Sequence, residues 1–405
     1  MNGATDLDSE PRWFKKPCPN EQVTLFLPQR NYISYVGDGS DLAVEGMVLI
    51  DPDQIVGDKK VWVSLLGVFE YGTSDLDIIG VPNIKYLTEM HFQAYPPLAE
   101  NTRKLSERQI YLKEKLGRGA ALYPFWFEIP EQAAVSIAVH PLPGRNWQDC
   151  GIDYMVRAYA ATDRWGLEDE RKLHTNHVVR MIIRKLSVIP PAPDETPSSH
   201  NLSKRMKDGG RVYLDCSLDK YTYHHGDSIL LYVNIQNNST KNINKLTAIV
   251  QQEVESYVFV QEAYKQKVAK IESRDGFPVG EGGTLNQVYG LYPGLGGNET
   301  GKIVDGRLKD AERFNLASTT VAYQNIDKYL QGILVQYKVR VVLDIPGERL
   351  VADMPFTLTH RILEDANGNR KIELPKLRYP RDRKHDLNLD NNPTLKGLGA
   401  LMITC

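Results

Sequence analysis

The chain has 405 residues, more than one hydrophobic core usually supports, so we expect two domains of roughly 180 residues each. Its 49 Lys and Arg nearly balance its 51 Asp and Glu, and the formal net charge of -2 excludes a global field that attracts nucleic acid. The four cysteines stand far apart without a CxxC pair, which is typical of isolated thiols in a reducing compartment. No apolar run approaches the ~18 residues of a membrane-spanning helix, so the sequence predicts a cytoplasmic protein.

The first half of the chain is a series of short apolar runs broken by turn residues, among them VTLFL, EGMVLIDP, VWVSLLGVFEYG, YPFWFEIP and IDYMVRAYAA. This pattern predicts an antiparallel β-sandwich over residues 12–188. One segment departs from it and predicts a single short amphipathic helix. Its leucines lie on one helical face between Asn101, which can cap the helix, and Gly117, which can end it.

The second half begins after a stretch rich in proline and polar residues, IPPAPDETPSSH, which predicts a linker over residues 189–200. Runs such as SILLYVNIQN and GILVQYKVRVVLDI alternate apolar and polar residues, which indicates strands with one solvated face. We therefore expect a second antiparallel sandwich over residues 201–362. Beyond it the composition turns to Asn, Asp, Arg, Lys and Pro, which predicts an irregular C-terminal tail at 363–405. The predicted fold class is all-β.

Residues 301–320, GKIVDGRLKDAERFNLASTT, concentrate charge between strand-like apolar runs. Surface loops are normally polar, so a solvated loop is one interpretation. The other is that a carboxylate of this segment turns inward and meets an arginine from elsewhere in the chain.

Motifs of catalysis are incomplete in this sequence. GNETGK nearly matches a phosphate-binding P-loop, but Ile303 stands where the magnesium-binding Ser or Thr is needed. The histidine pairs have no Cys or carboxylate companions at metal-ligand spacing, and no G-x-S-x-G elbow is present. The sequence therefore argues against an enzyme and predicts no metal.

Several motifs occur in the order in which the arrestin family carries them. They are FKKPCPN, YGTSDLDIIG, KLG with YPFWFEIP, CGIDY, VVRMIIRK, SLDKYTYHHGDSI, VDGRLK with NLAST, QYKVRV and MPFTLTH. Together they span about 350 residues, and the chain resembles the receptor-binding arrestins rather than the alpha-arrestins, whose PPxY motif it lacks. The resemblance implies two β-sandwich domains, with residues 301–320 as the family's lariat loop.

The resemblance also implies a function. Receptor-binding arrestins bind activated, phosphorylated G-protein-coupled receptors at the membrane and block their coupling to G protein. The residues that match the family's phosphate-sensing lysines are Lys15, Lys16, Lys115 and Lys309. Those that match its polar core, a buried set of paired charges, are Asn31, Arg180, Asp305, Asp310 and Glu312. Those that match its receptor-contacting finger loop are Asp75, Leu76, Asp77, Ile78, Ile79 and Gly80.

The resemblance gives these residues a mechanism. Arg180 is expected to hold Asp305 in the resting state until a receptor phosphate competes for its guanidinium. Asp305 is then left buried without its partner, at about 3 to 5 kcal/mol, and the domain interface loosens.

The chain departs from the family's pattern in three places. Asn31 stands where the family has an aspartate, and one extra residue before NLAS leaves open whether Asp310 or Glu312 is the second acid. The tail lacks the acidic segment with its arginine and also the clathrin and adaptor boxes. We therefore do not expect clathrin or its adaptors as partners. A tail without these boxes is commoner in sensory arrestins, which favours a photoreceptor or chemosensory role with a rhodopsin as one candidate receptor.

The residues that match the family's inositol-phosphate contacts are Lys265, Lys338 and Arg340, whereas Thr247 and Gln251 replace basic residues. Lys338 and Arg340 are two apart on a predicted strand and so share one face. The resemblance thus implies weakened binding of inositol hexakisphosphate or a membrane phosphoinositide, while solvated strand charges are the alternative. For the whole chain, the alternative function is an arrestin-fold trafficking adaptor that does not read receptor phosphorylation.

Overall fold

The computed structural model describes residues 13–55, 57–71, 84–101, 103–117, 119–140, 150–164, 177–207, 209–257, 262–295, 301–306, 315–320, 328–364 and 370–373. The predicted finger loop and three charged lariat residues, Lys309, Asp310 and Glu312, lie outside these ranges. The predicted all-β fold class is confirmed.

The first half forms ten strands and one α-helix. In chain order they are β1 (Phe14–Pro17), β2 (Val23–Leu27), β3 (Asn31–Tyr35), β4 (Leu42–Ile50), β5 (Lys60–Tyr71), β6 (Ile84–Tyr95), α1 (Glu107–Leu116), β7 (Leu122–Ile129), β8 (Ile137–Val139), β9 (Cys150–Ala161) and β10 (Val178–Val188). One sheet has the order β1-β2-β4-β7, and the other contains β8-β9-β10-β3 with β5 and β6 joined through β9. Aromatic and aliphatic side chains of both sheets, such as Phe125 and Tyr154, fill the space between them.

The predicted amphipathic helix is present and shorter than expected. It begins after Ser106 rather than at Asn101, because the Ser106 side chain accepts a hydrogen bond from the Gln109 amide and the Gln109 side-chain oxygen accepts one from the Ser106 amide. This capping box fixes the first turn. The helix ends at Gly117, as the sequence predicted, with the glycine at a positive φ of 92°.

The second half forms twelve strands and one helical turn. In chain order they are β11 (Ser199–Arg205), β12 (Gly210–Leu218), β13 (Thr222–His224), β14 (Ile229–Ser239), β15 (Lys245–Ser256), β16 (Glu262–Ser273), β17 (Thr284–Leu291), β18 (Ile303–Asp305), α2 (Lys328–Gln331), β19 (Ile333–Ile345), β20 (Glu348–Thr359), β21 (Arg361–Glu364) and β22 (Arg370–Glu373). Two sheets face each other, with the orders β11-β12-β14-β17 and β13-β20-β19-β15-β16. Buried and more exposed residues alternate along β14 and along most of β19, as the sequence pattern predicted.

Strand β18 belongs by sequence to the second half but pairs with the first. It runs antiparallel to β8, with Ile303 opposite Val139 and Asp305 opposite Ile137. On its other side Gln252 exchanges two hydrogen bonds with the Ile303 backbone. The lariat segment therefore connects the sheets of both halves and brings Asp305 to the boundary between them.

Two expectations about segment ends are corrected. Strand β11 begins at Ser199, two residues inside the predicted linker. The start of the predicted irregular tail is not irregular, because β21 and β22 pair as an antiparallel hairpin with Ile362 opposite Ile372. Among the described residues no helix is long and apolar enough to cross a membrane.

Candidate functional site: the charges at the boundary of the two halves

Strand β10 carries a buried arginine to the boundary. It runs parallel to β3 with Arg184 opposite Asn31, and the Arg184 amide donates to the Arg30 carbonyl oxygen at 2.7 Å. The Arg184 side chain is 3% exposed, and its Nε donates to Asn31 Oδ1 at 2.9 Å. Burial lowers the pKa of Arg184 while the charge of Asp305 opposes that shift. An arginine stays charged at neutral pH even so.

Asp305 is the acid that β18 brings to the same place, and it is 4% exposed. Its Oδ1 accepts a hydrogen bond from the Ser318 amide at 3.2 Å. Its Oδ2 lies 2.9 Å from His360 Nε2, in a contact poorly aligned for a hydrogen bond. Burial raises the pKa of Asp305, but His360, with smaller effects of His225 and Arg184, outweighs burial and holds that pKa below its usual value. The carboxylate is therefore ionised at neutral pH.

Gly306 lets the two halves approach at this point. Its φ is +21°, and a Cβ added to it would lie 2.6 Å from Ser136 Cβ and 3.3 Å from Arg184 Cδ. The Gly306 amide donates to the Ser136 carbonyl oxygen at 3.2 Å. The stem of Arg184 thus packs over the residue that follows Asp305, and any larger side chain there would displace it.

The prediction that Arg180 faces Asp305 is wrong, because the structure places Arg184 there instead. Arg180 is only partly buried, and its carbonyl oxygen accepts a hydrogen bond from Lys16 Nζ at 2.8 Å. The two arginines point to the same face of β10, but four residues of strand separate them by about 13 Å. The chain segment was identified correctly and the residue within it was not.

The predicted pair of phosphate-sensing lysines lies on the exposed strand β1. Lys15 and Lys16 are both exposed, and Lys15 Nζ lies 6.0 Å from the centre of the Phe26 ring. The hydrogen bond from Lys16 to Arg180 sets this pair beside β10, the strand that carries Arg184. Lys115 lies apart from them in the last turn of α1, exposed and 5.6 Å from the Tyr111 ring centre.

The three predicted inositol-phosphate residues come together on the outer face of the sheet formed by β15, β16, β19 and β20. Two carboxylates that the sequence analysis did not consider lie among them. Glu253 Oε1 is 3.0 Å from Lys265 Nζ and 2.7 Å from Lys338 Nζ. Asp353 holds Arg340 through two hydrogen bonds of 2.7 and 2.6 Å and also contacts Lys338 at 3.1 Å.

These contacts leave the group of five side chains with a formal charge of +1 (three cations and two anions). Burial raises the pKa of Glu253, but its hydrogen bonds with Lys338 and Lys265 have the larger combined effect, so the pKa lies below its usual value. The hydrogen bond from Arg340 is the largest cause that lowers the pKa of Asp353 to about 2. Both acids are ionised at neutral pH, so an incoming polyphosphate has to compete with them for the same three cations.

We predict that Glu253→Gln combined with Asp353→Asn raises the affinity for inositol hexakisphosphate by about tenfold or more in 0.15 M salt, because it frees cations already in place. Calorimetric titration measures this affinity. Glu272→Gln is the matched control, since Glu272 pairs with Lys245 and Lys270 on the same sheet outside this group. If the double variant binds no better than the control, the three cations do not form an anion site.

His225, Asp305 and His360 form a second buried group. Their donor atoms lie within 4.8 Å of one another, and in the described part of the chain no other group of three or more such side chains is close enough for a metal ion. His360 Nε2 lies 2.9 Å from Asp305 Oδ2 without an aligned hydrogen bond, and His225 Nε2 lies 3.1 Å from Ser318 Oγ. We therefore treat the group as a set of mutual polar contacts, which the sequence analysis missed because its members are distant along the chain.

Comparisons with known proteins match both halves of the chain to one family. Residues 24–188 match the family described as "Arrestin (or S-antigen), N-terminal domain", and residues 208–362 match "Arrestin (or S-antigen), C-terminal domain". Beta-arrestin arr-1 of Caenorhabditis elegans is 41% identical over 361 residues, which cover 88% of this chain and 82% of that protein.

Two further relatives are similar at a lower identity. Arrestin red cell isoform 1 of Oncorhynchus mykiss is 37% identical over 352 residues, covering 86% of this chain and 83% of that protein. Human beta-arrestin-2 is 36% identical over 352 residues, with the same two coverages.

Proposed function

Because the chain belongs to the arrestin family, we propose that it binds activated, phosphorylated G-protein-coupled receptors and blocks their coupling to G protein. It acts by binding and breaks no bond. Recruitment from the cytoplasm to the membrane depends on the receptor. A sensory role and a phosphoinositide ligand remain predictions from the sequence.

The observation that carries the proposal is that Arg184 and Asp305 are both buried and lie near enough for each charge to shift the pKa of the other. Each charge is contributed by a different half of the chain, and both are nearly inaccessible to water. A charge buried without a partner costs several kcal/mol, so drawing Arg184 away weakens the boundary that β18 forms with β8. A protein that merely gripped a peptide would have no need of such a pair.

The route by which a phosphate reaches Arg184 follows from the position of β1. Lys15 and Lys16 are flexible point charges that can meet a phosphate of about two negative charges on the surface. Lys16 also touches β10 at Arg180, about 13 Å along the strand from Arg184. We propose that receptor phosphates enter at the lysine pair and extend along β10 toward Arg184.

The trafficking-adaptor alternative has one observation in its favour. Asp305 contacts His360 within its own half of the chain, and Arg184 donates to a neutral amide, that of Asn31. The attraction between Arg184 and Asp305 is therefore weaker than it would be if each side chain had only the other as its partner. Some binding to unphosphorylated receptor is the expected consequence.

The deciding experiment measures the affinity of the full-length protein for one activated receptor, with its tail phosphorylated and after phosphatase treatment. We expect the phosphorylated form to bind about tenfold tighter or more, because hydrogen bonds to charged groups contribute about 1.5 to 3 kcal/mol each. G protein should be displaced in parallel. Equal affinities for the two receptor forms would favour the adaptor.

The finger-loop residues give a separate prediction from the sequence, since they lie outside the described residues. Ile78 and Ile79 are apolar among acidic and glycine residues, and apolar loop residues of this kind often mark a binding site. Replacing both by Ser should abolish competition with G protein for the activated receptor while phosphopeptide binding persists. Unimpaired competition would show that this loop does not enter the receptor.

A further inference from the structure

The environment of Asp305 is built mostly from its own half of the chain. His360 follows the last strand of the large C-terminal sheet and is 1% exposed, with Nε2 at 2.9 Å from Asp305 Oδ2. The other carboxylate oxygen accepts from the Ser318 amide. Both partners belong to the second half of the chain, whereas Arg184 belongs to the first.

His225 supports His360 from the turn after β13. The two imidazole rings lie 4.6 Å apart at an angle of 54°, and His225 Nε2 is 3.1 Å from Ser318 Oγ. Burial, followed by the neighbouring His360, lowers the pKa of His225 to about 3. His225 is therefore a neutral ring that packs against His360 and contacts the same serine whose amide binds Asp305.

Arg184, from the first half of the chain, has a different hydrogen-bond partner from Asp305. Within the described residues its side chain forms one hydrogen bond, to Asn31, and it acts on Asp305 through its charge. Asp305 is thus affected by two groups, the ring of His360 from its own half of the chain and the charge of Arg184 from the other half.

We propose that His360, held in place by His225, is an alternative partner that keeps Asp305 paired when Arg184 is drawn away. His360 is a positioning residue rather than a phosphate contact. The effect of His360 on folding stability does not depend on the proposed function. Its consequence for receptor binding rests on the proposed function: by lowering the penalty for releasing Arg184, His360 reduces the dependence of binding on phosphate.

A double-mutant cycle of thermal unfolding tests the pairing without any receptor. Arg184→Gln and His360→Gln should each lower Tm by about 2 to 4 °C, because Asp305 retains one partner in either variant. The double variant should lose about 10 °C or more, well beyond the sum, since the carboxylate is then buried without either partner. His360→Phe, which keeps a ring of similar size, should couple to Arg184→Gln in the same way.

His224→Gln is the matched control, because His224 precedes His225 but contacts Asp227 outside this group. Its effect should add to that of Arg184→Gln without coupling. Additive losses for His360 as well would overturn the proposal. If the double variant fails to fold, Asp305→Asn should restore folding by removing the unpaired charge, and failure of that rescue would also overturn it.

The receptor arm uses His360→Gln alone. Because Asp305 then depends on Arg184, the ratio of affinities for phosphorylated and unphosphorylated receptor should rise about threefold to tenfold over the parent. An unchanged ratio in a parent that does prefer phosphorylated receptor would contradict the regulatory role of His360. A parent with no preference would instead count against the proposed function, and the unfolding cycle alone would decide the pairing.

Discussion

Arg184→Glu is expected to let the protein bind activated receptor that carries no phosphate, raising that affinity by about tenfold over the parent. The introduced carboxylate lies next to buried Asp305, and like charges in a site of low dielectric repel strongly. The boundary between β18 and β8 should open without help from a phosphate. The gain is moderate rather than maximal, because Asp305 keeps its contact with His360.

Arg180→Glu is the control for this variant. It makes the same charge change on the same face of β10, about 13 Å away and beside Lys16. We expect it to weaken binding of phosphorylated receptor and to leave binding of unphosphorylated receptor low. Receptor pull-down with both receptor forms makes the comparison. If Arg180→Glu gains phosphate-independent binding and Arg184→Glu does not, the switch is not at Arg184.

Lys15→Ala combined with Lys16→Ala is expected to lower the affinity for a phosphorylated receptor tail by about 30-fold, at about 1 kcal/mol for each lost contact between a lysine and a phosphate. Both side chains are exposed, so folding stability should change by less than about 1 kcal/mol. The salt dependence of binding should also become shallower, because fewer exposed charges take part.

Lys59→Ala combined with Lys60→Ala provides the matched control. This is also a lysine pair of the first half, at the start of β5, where Lys60 lies 6.0 Å from the Trp62 ring centre. It lowers the net charge equally, so a difference between the two double variants reports on position rather than on charge. Fluorescence anisotropy at two salt concentrations measures the affinity of each double variant for a phosphopeptide. Equal affinities of both variants would contradict the role of β1.

The strands were predictable because burial alternates with the period of the backbone. In β19, ILVQYKVRVVLDI, every second residue from Val335 onward is buried, as the alternation of apolar and polar residues indicates. The start of α1 was not predictable, because both Asn101 and Ser106 can cap a helix. The choice was made by Gln109, which completes the capping box with Ser106. The hairpin of β21 and β22 was missed because its strands have few apolar residues and its register depends on pairing.

The candidate site shows a similar limit. Two arginines at positions 180 and 184 lie on one face of the same strand, so strand periodicity cannot tell which of them is opposite Asp305. The answer depends on the pairing of β18 with β8, which joins residues more than 160 positions apart. Glu253 and Asp353 were missed for the same reason, since they reach Lys265, Lys338 and Arg340 only across neighbouring strands.

We propose that Arg184 and Asp305 act as a pair through which receptor phosphorylation is read. The most direct test adds Asp305→Arg to Arg184→Glu and measures the ratio of affinities for phosphorylated and unphosphorylated activated receptor. We expect this reversal to restore a preference of about fivefold or more for phosphorylated receptor, because coupling belongs to the two residues jointly. Recovery should be partial, since an arginine cannot accept the hydrogen bond of the Ser318 amide. A folded double variant that binds both receptor forms equally would contradict the claim.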